Sequence, residues 1–303
     1  MNPVLAKELD GAMNDQTITW QELLAETTQR LVEAGVDEPE ISARRIVEEA
    51  SGWDGADLGV HLGDLATEGT VAHLDSMLSR RLTGEPLQYV VGRWAFRSLD
   101  LMVDARVLIP RPETEEVAGL AIAHARRVAG TGIPPTVADL GTGTGAIGLS
   151  IATEIPQATV YLTDAYENAL AIARANTAGI GRHAVRVNIR HGSWFKALPD
   201  DLRGSFHVIV SNPPYVATTD SLPPVVADWE PATALFAGDD GLVHLTTLVQ
   251  EAPDWLAESG VLVLEMAPGQ TTKVVEMCLE RGFSSAEVHS DLSGTPRAVV
   301  AIQ

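Results

Sequence analysis

Two stretches of this sequence carry residue types that can do chemistry together. The first is Ser211-Asn212-Pro213-Pro214-Tyr215, which closes the apolar run His207 to Ser211. A residue before proline is pushed to extended geometry, and two successive prolines fix φ and remove two backbone donors, so a rigid row of acceptors remains. Such a row suits a planar nitrogen whose lone pair is delocalised, as in an amide or an exocyclic aromatic amine. Accepting both N–H groups, through the Asn212 side-chain oxygen and the Pro213 carbonyl, lets that nitrogen turn its lone pair toward an electrophile without a strong base. Tyr215 adds a ring face against the substrate plane. Asn212, Pro213, Pro214 and Tyr215 are the candidate catalytic and substrate-binding residues.

The second stretch is Val137-Ala138-Asp139-Leu140-Gly141-Thr142-Gly143-Thr144-Gly145-Ala146-Ile147-Gly148, a buried-strand pattern running into a glycine-rich turn and an apolar helix. Glycine admits positive φ and lets a ligand approach the main chain. In an open parallel sheet that turn lies at the carboxyl end of its strand, where ligands bind. Gly143-x-Gly145-x-x-Gly148 also satisfies the dinucleotide pattern. The acid before the glycines separates the two readings, because Asp139 beside a pyrophosphate is repulsive, whereas a donor bearing an ammonium and a sulfonium welcomes it. S-adenosyl-L-methionine is such a donor. Asp164, ending the next apolar run, suits a carboxylate accepting from two ribose hydroxyls, a feature shared with dinucleotide sites.

These two stretches need a scaffold. From Pro110 onward apolar β-rich runs alternate with helical ones, the pattern of a mostly parallel sheet covered on both faces. The expected strands are 136–140, 159–163, 185–190, 207–211, 261–266, a weaker one at 286–289, and 298–302. Seven strands is the count of a class I, Rossmann-like methyltransferase domain. The last two leave no room for a crossover helix and must pair antiparallel.

The first third reads as helices. Thr19 caps one through Trp20, Leu23, Leu24, Thr27 and Leu31 to a stop at Gly35; Asp37 with Glu40 makes a capping-box-like start for a second; a third runs from Glu68 to Leu82 and is halted by Gly84 and Pro86. Tyr89, Val90, Val91, Trp94 and Phe96, then Leu99, Leu101 and Val103, look like two strands joined through Arg97 and Ser98. The expected organisation is thus an all-α domain at 1–85, a β-hairpin linker at 86–109 and the α/β domain at 110–303.

Bulk composition narrows the partners. The formal net charge is −20, from 21 Lys and Arg against 41 Asp and Glu. Nucleic-acid binding draws its affinity from cations that displace phosphate counterions, so this surface disfavours nucleic acid and anionic membrane. It suits a basic protein partner, and it equally serves solubility alone. No run of eighteen apolar residues occurs, and Met1 to Gln16 lack the basic start and apolar stretch of a signal peptide, which points to the cytoplasm. The eight histidines show no metal-ligand spacing, and the single cysteine, Cys278, reads as a buried thiol in the helical run Thr271 to Arg281. Trp229-Glu230-Pro231 falls in a long Pro-rich segment, 216–240, that is either a substrate-side lid or a solvated loop. Arg111 is either beside the cofactor or exposed.

In order along the chain, Gly84-Glu85-Pro86, Ile109-Pro110-Arg111-Pro112-Glu113-Thr114-Glu115, Asp139 to Gly145, Gly192-Ser193-Trp194-Phe195, Asn212-Pro213-Pro214-Tyr215 and Glu230-Pro231 resemble the PrmC/HemK family of release factor glutamine methyltransferases. The resemblance spans Gly84 to the C-terminus, and the helical first third agrees in kind. Asp164-Ala165-Tyr166-Glu167, Glu265-Met266-Ala267 and Gly294-Thr295-Pro296-Arg297 depart from the family's usual pattern. The resemblance implies donor contacts from Gly141, Thr142, Gly143, Thr144, Gly145, Asp164, Trp194 and Asn212, and substrate-glutamine contacts from Asn212 through Tyr215. It further implies that the substrate is the glutamine of the Gly-Gly-Gln loop in class 1 peptide release factors. An adenine N6-methyltransferase poses the same lone-pair problem, but must also hold a flipped base and a phosphate backbone, against the charge. A non-catalytic S-adenosylmethionine-binding protein leaves the Asn-Pro-Pro-Tyr sequence without a use.

Overall fold

A computed structural model describes residues 17–303; the reading of Met1 to Gln16 as free of a signal peptide lies outside them. The chain divides into two compact units, Met1–Val91 and Gly92–Gln303.

The described part of the first unit is helical: α1 (Trp20–Glu33), α2 (Pro39–Ser51), α3 (Ala56–His61), α4 (Glu68–Leu82) and α5 (Leu87–Val91). Thr19 caps α1 in a full capping box with Glu22, as its spacing predicts. The start of α2 differs from expectation. Asp37 is not the cap; Glu38 holds that position in the left-handed region with no side-chain bond, and Pro39 at the first helical position starts the helix through its fixed φ. Trp20, Leu23, Ile46, Val47, Leu58, Leu74, Met77 and Val90 form one buried core. The strand expected at Tyr89 to Val91 is helix α5. Its β-branched residues suit a strand, but Tyr89 and Val90 are buried, their N–H groups bond the Pro86 carbonyl, and the Arg80 guanidinium takes both their carbonyls. Packing and a side-chain donor override local preference here.

The second unit opens with the hairpin β1 (Arg93–Phe96) and β2 (Leu99–Met102), paired antiparallel around Arg97 and Ser98, then α6 (Pro112–Gly130). A seven-stranded sheet follows: β3 (Thr136–Leu140), β4 (Thr159–Asp164), β5 (Val187–His191), β6 (Phe206–Ser211), β7 (Leu256–Glu265), β8 (Ser285–Ser290) and β9 (Pro296–Ile302). Their order is β5-β4-β3-β6-β7-β9-β8, with β9 antiparallel to both neighbours. The fold is the α/β class I methyltransferase sheet, including the expected antiparallel pair at its end. The strand expected from Val185 begins two residues later, because Gly181–Arg186 forms a 3₁₀ turn.

The intervening helices are α7 (Ala146–Glu154), α8 (Glu167–Gly179), α9 (Pro224–Ala227), α10 (Val243–Glu251) and α11 (Thr271–Arg281). One face of the sheet packs Val137, Val160, Val208 and Val263 under α6 and α7. The other packs Ala138, Ile209, Leu262 and Leu264 under α10 and α11. Cys278 is buried within α11, and burial pushes its thiol up to about 12. No helix of the described residues is long and apolar enough to cross a membrane.

The hairpin is tied to this unit by polar contacts that the sequence pattern does not announce. Arg97 bonds Glu154 of α7 at 2.7 Å and the Glu115 carbonyl of α6 at 3.1 Å. Asn176 of α8 accepts from the Met102 N–H at 2.7 Å and donates to the Met102 and Thr144 carbonyls at 3.1 and 2.9 Å. Asn176 is 6% exposed, so replacing it strands buried groups on both the hairpin and the glycine loop. Asn176→Ala is expected to lower unfolding free energy by about 2 kcal/mol or more in urea titration; a loss near zero would mean that water fully replaces these bonds.

Candidate active site

Ligands of open α/β sheets bind outside the carboxyl ends of the strands where their order reverses. Here that point lies between β3 and β6, whose ends are latched by Ser211 Oγ donating to the Leu140 carbonyl at 2.6 Å. A cleft with about 230 Å³ of water-accessible space opens there.

The glycine loop forms its floor. Gly141 and Thr142 donate to the Thr163 carbonyl at the end of β4, at 2.9 and 2.8 Å. Asp139, 1% exposed, accepts on Oδ2 from the Thr142 hydroxyl at 2.6 Å and from the Gly148 N–H at 2.9 Å. Burial pushes its carboxyl up to about 6 against these bonds. A Cβ on Gly148 would lie 2.2 Å from Leu162 Cδ2, so this glycine is demanded by helix–strand packing. Gly141 has φ +71, and a Cβ there would meet the Trp194 ring at 3.0 Å.

Asp164 is 8% exposed. It accepts from Gly143 N–H at 3.0 Å on one oxygen and Tyr166 N–H at 2.9 Å on the other, leaving each oxygen one further lone pair. Burial raises its pKa, opposed by those backbone donors. Trp194 is held with φ +48, costly for a non-glycine residue and commonest where function requires it. Its ring leans on His244 of α10, 5.3 Å between centroids.

At the end of β6, Asn212 Nδ2 donates to Thr114 Oγ1 at 3.3 Å, Thr114 lying in the first turn of α6. The Tyr215 carbonyl accepts from Gln270 Nε2 at 2.9 Å. Burial raises the Tyr215 phenol well above its ordinary value.

Of the residues singled out from sequence, Gly141, Thr142, Gly143, Thr144, Asp164, Trp194, Asn212 and Pro214 line the cleft. Gly145, Pro213 and Tyr215 are not among its walls. Gly145 instead starts α7 at φ +87, where a Cβ would meet Leu149 at 2.8 Å. Tyr215 is half-buried and packs against the core under α10 and α11. Sequence reading missed Thr114, Tyr166 and His244 as cleft residues. Thr114 stands within the Pro-Arg-Pro-Glu-Thr-Glu motif and could have been found there; Tyr166 and His244 carry no comparable signal.

Segment 216–240 is neither free nor purely solvated. Val216 bridges Phe236, and Pro231, Thr233 and Ala234 join the cleft wall. Its anchor is Glu230, 6% exposed, paired with the Arg111 guanidinium and accepting from the Ile109 N–H at 3.3 Å. Arg111 serves this strap and is not itself among the cleft walls. Charge in the cleft is dominated by Asp139 and Asp164; among the described residues the one Lys or Arg on its wall, Arg106, is paired with Asp104. A cationic ligand therefore fits, and a pyrophosphate does not.

Removing the anchor should loosen the wall while leaving the sheet intact. Glu230→Ala is expected to speed amide hydrogen exchange across residues 216–240 by at least about tenfold, with no change in the sheet. Unchanged exchange would show that the strap is held by its prolines and backbone bridge.

The PrmC N-terminal domain family matches residues 22–92, and the methyltransferase small domain family matches residues 129–228. The release factor glutamine methyltransferase of Streptomyces coelicolor is 38% identical over 284 residues, 92% of this chain and 96% of that protein. That of Deinococcus radiodurans is 38% identical over 285 residues, 93% and 97% of the two chains. Among solved structures, the hMettl16 catalytic domain in complex with the MAT2A 3′UTR hairpin 6 superposes with a TM-score of 0.51 at 13% identity, over 80% of this chain and 84% of that one, a likeness of fold alone. With more than a third of its residues identical over nearly its whole length, this chain belongs to the family of release factor glutamine methyltransferases.

Proposed function

We propose that this enzyme transfers a methyl group from S-adenosyl-L-methionine to the side-chain amide nitrogen of the glutamine in the Gly-Gly-Gln motif of class 1 peptide release factors, in support of translation termination. The observation that carries this reading is the commitment of the Asn212 amide nitrogen to Thr114. With Nδ2 so engaged, Oδ1 is the acceptor that Asn212 offers in the cleft, as an incoming amide N–H requires. The Pro213 carbonyl, fixed by the following proline, is the second acceptor of the pair.

The donor site follows from the same walls. Asp164 has lone pairs for two ribose hydroxyls, the strained Trp194 and the Gly141 to Gly145 loop bound the donor, and the carboxylate-rich cleft favours its positive charges. When bound, S-adenosylmethionine supplies an electrophilic methyl on a sulfonium. The chain's contribution is alignment: a resonance-stabilised nitrogen reacts only if it is held on line, an effect worth up to about 7 to 11 kcal/mol in well-oriented systems. Tyr215 contributes by supporting the tetrapeptide, since its half-buried ring packs against the core.

Residues 1–85 are assigned the recognition of the protein substrate, 86–109 the link between the two parts, and 110–303 the chemistry. A net charge of −20 accords with a protein partner and with no direct role for nucleic acid or membrane. A cytoplasmic location accompanies this reading.

Two substitutions test it. Asp164→Ala should weaken S-adenosylmethionine binding by at least about tenfold in calorimetry, since two charge-assisted hydrogen bonds are lost; unchanged affinity would remove Asp164 from the donor site. Asn212→Ala and Asn212→Asp should each slow methylation by at least about 10²-fold with the fold preserved, the scale of a small misplacement at the reacting atoms. The readout is mass spectrometry of one added methyl on the Gly-Gly-Gln peptide of intact release factor. Normal methylation of that glutamine by a chain lacking Asn212 would sink the mechanism.

A further inference from the structure

The two prolines of Asn212-Pro213-Pro214-Tyr215 stiffen the row of acceptors, but they also withdraw two N–H groups, so the surroundings must hold this stretch mainly through side chains and carbonyls. A proline ring fixes φ and leaves ψ free, and Tyr215 has no such ring. The far end of the row is therefore only as well placed as the Tyr215 carbonyl, and the group that holds this carbonyl has a part in the geometry of the site.

That group is Gln270, half-buried at the end of the 3₁₀ turn Pro268–Gln270 between β7 and α11. Its Nε2 donates to the Tyr215 carbonyl at 2.9 Å and reaches the Gly241 and Asp240 carbonyls at 3.2 and 3.4 Å. Two protons serve three carbonyls, and Tyr215 has the shortest bond. At the other end of the amide, Oε1 accepts from the Ala267 N–H at 3.1 Å. These partners settle which way the amide points, because reversing it would set an oxygen against three carbonyls and an NH₂ group against an N–H.

Tyr215 leads into the 216–240 strap, and Asp240 and Gly241 lead out of it, so one side chain clasps both ends of the strap where it leaves the tetrapeptide. Space at the clasp is fully used. Gly241 is buried with φ +71, and a Cβ on it would run into both the Tyr215 carbonyl and the Gln270 amide. The methyl-transfer reading above gives Gln270 no part.

We propose that Gln270 is a positioning residue for the methyl transfer: as a hydrogen-bond donor it fixes the Tyr215 carbonyl, and with it the far end of the acceptor row, while drawing in the turn that closes the strap. Gln270 is not among the cleft walls, so it acts through the tetrapeptide. The glycine loop and Asp164, which bound the methyl donor in that reading, stand at the ends of β3 and β4 and make no bond to the clasp. Loss of the clasp therefore falls on the rate and spares donor affinity.

This inference rests on the reading of Asn212 as the acceptor of the substrate amide, and the test separates the two. Release factor methylation, S-adenosylmethionine affinity by calorimetry and melting temperature are measured for the full chain and for Gln270→Met, Gln270→Lys, Gln270→Glu and Asn212→Ala. Gln270→Met, which keeps the length and loses the donor, is expected to lower kcat by about 10- to 100-fold and to keep donor affinity and melting temperature close to the parent's. The three replacements rank one way by shape and the other way by hydrogen bonding. Glutamate is nearest to glutamine in shape but sets oxygens against the carbonyls, whereas lysine fits least well but brings an ammonium that donates to them. The expected order of kcat is therefore lysine, then methionine, then glutamate. A lysine variant no better than the methionine one refutes the donor role, and an order led by glutamate marks packing alone and refutes it too. Gln270→Met with the parent's kcat, while Asn212→Ala is slowed, overturns the role of Gln270 alone; an Asn212→Ala chain at the parent's rate overturns the functional reading beneath it. A Gln270→Met chain that loses donor affinity and melting temperature along with kcat has a structural defect and also overturns the proposal. If Gln270→Glu does not fold, the methionine and lysine pair decides.

Discussion

The catalytic unit depends on one buried charge. Asp139 stands one residue before the end of β3 with almost no exposure, and its carboxylate is sustained by the Thr142 hydroxyl and the Gly148 N–H. A buried carboxylate cannot do without such donors, so the same atom that needs them dictates where they stand. Thr142 fixes the glycine loop and Gly148 fixes the first turn of α7. Both are thereby referred to β3. Leu162 closes the arrangement from the next strand, since the space beside Gly148 admits no side chain.

Once the loop is set, the rest of the cleft is built by latches between strand ends. The Thr163 carbonyl receives two loop N–H groups, Ser211 closes β6 onto β3, and Asp164 holds Gly143 and Tyr166. Asn212 continues straight from that latch. Thr114, Glu230 and Arg111 bring in α6 and the 216–240 strap from the other side. The walls of the cleft thus share a frame of parallel strands, which holds residues from distant parts of the sequence in one fixed arrangement.

Two carboxyls in this region, Asp139 and Glu265, have values raised by burial to about 6 and about 7. For each, the folded value exceeds the unfolded one, so ionisation near neutral pH detracts from stability. The α/β unit bears that cost at the carboxyl ends of its strands, beside the cleft, while its apolar layers on both faces remain free of such groups. Backbone strain also reaches the cleft, where Trp194 occupies a left-handed conformation on the wall.

Much of this was legible in the chain itself. Alternating apolar and helical periods announce the seven strands, because a strand buried on both faces must be continuously apolar wherever it sits. The glycine loop and the Asn-Pro-Pro sequence are equally local, since backbone freedom and backbone restriction belong to the residue that carries them. What the sequence could not decide are matters of partnership. Tyr89 to Val91 have strand-like residues but become helix, because Arg80 and the surrounding core supply what a sheet would have supplied. Asp139 reads as a ligand-facing acid and does line the cleft, but one of its oxygens is also occupied with the loop. Gly145 reads as a cleft residue but starts a helix, and the half-buried Tyr215 rests against the core beside the cleft rather than lining its wall. Glu230 and Arg111 lie 119 residues apart, and nothing in either neighbourhood names the other. Local conformation is fixed by each residue's own sterics, whereas the partner of a buried charge or hydroxyl is fixed only when the folded chain brings one within reach, and that was decided by the tertiary structure.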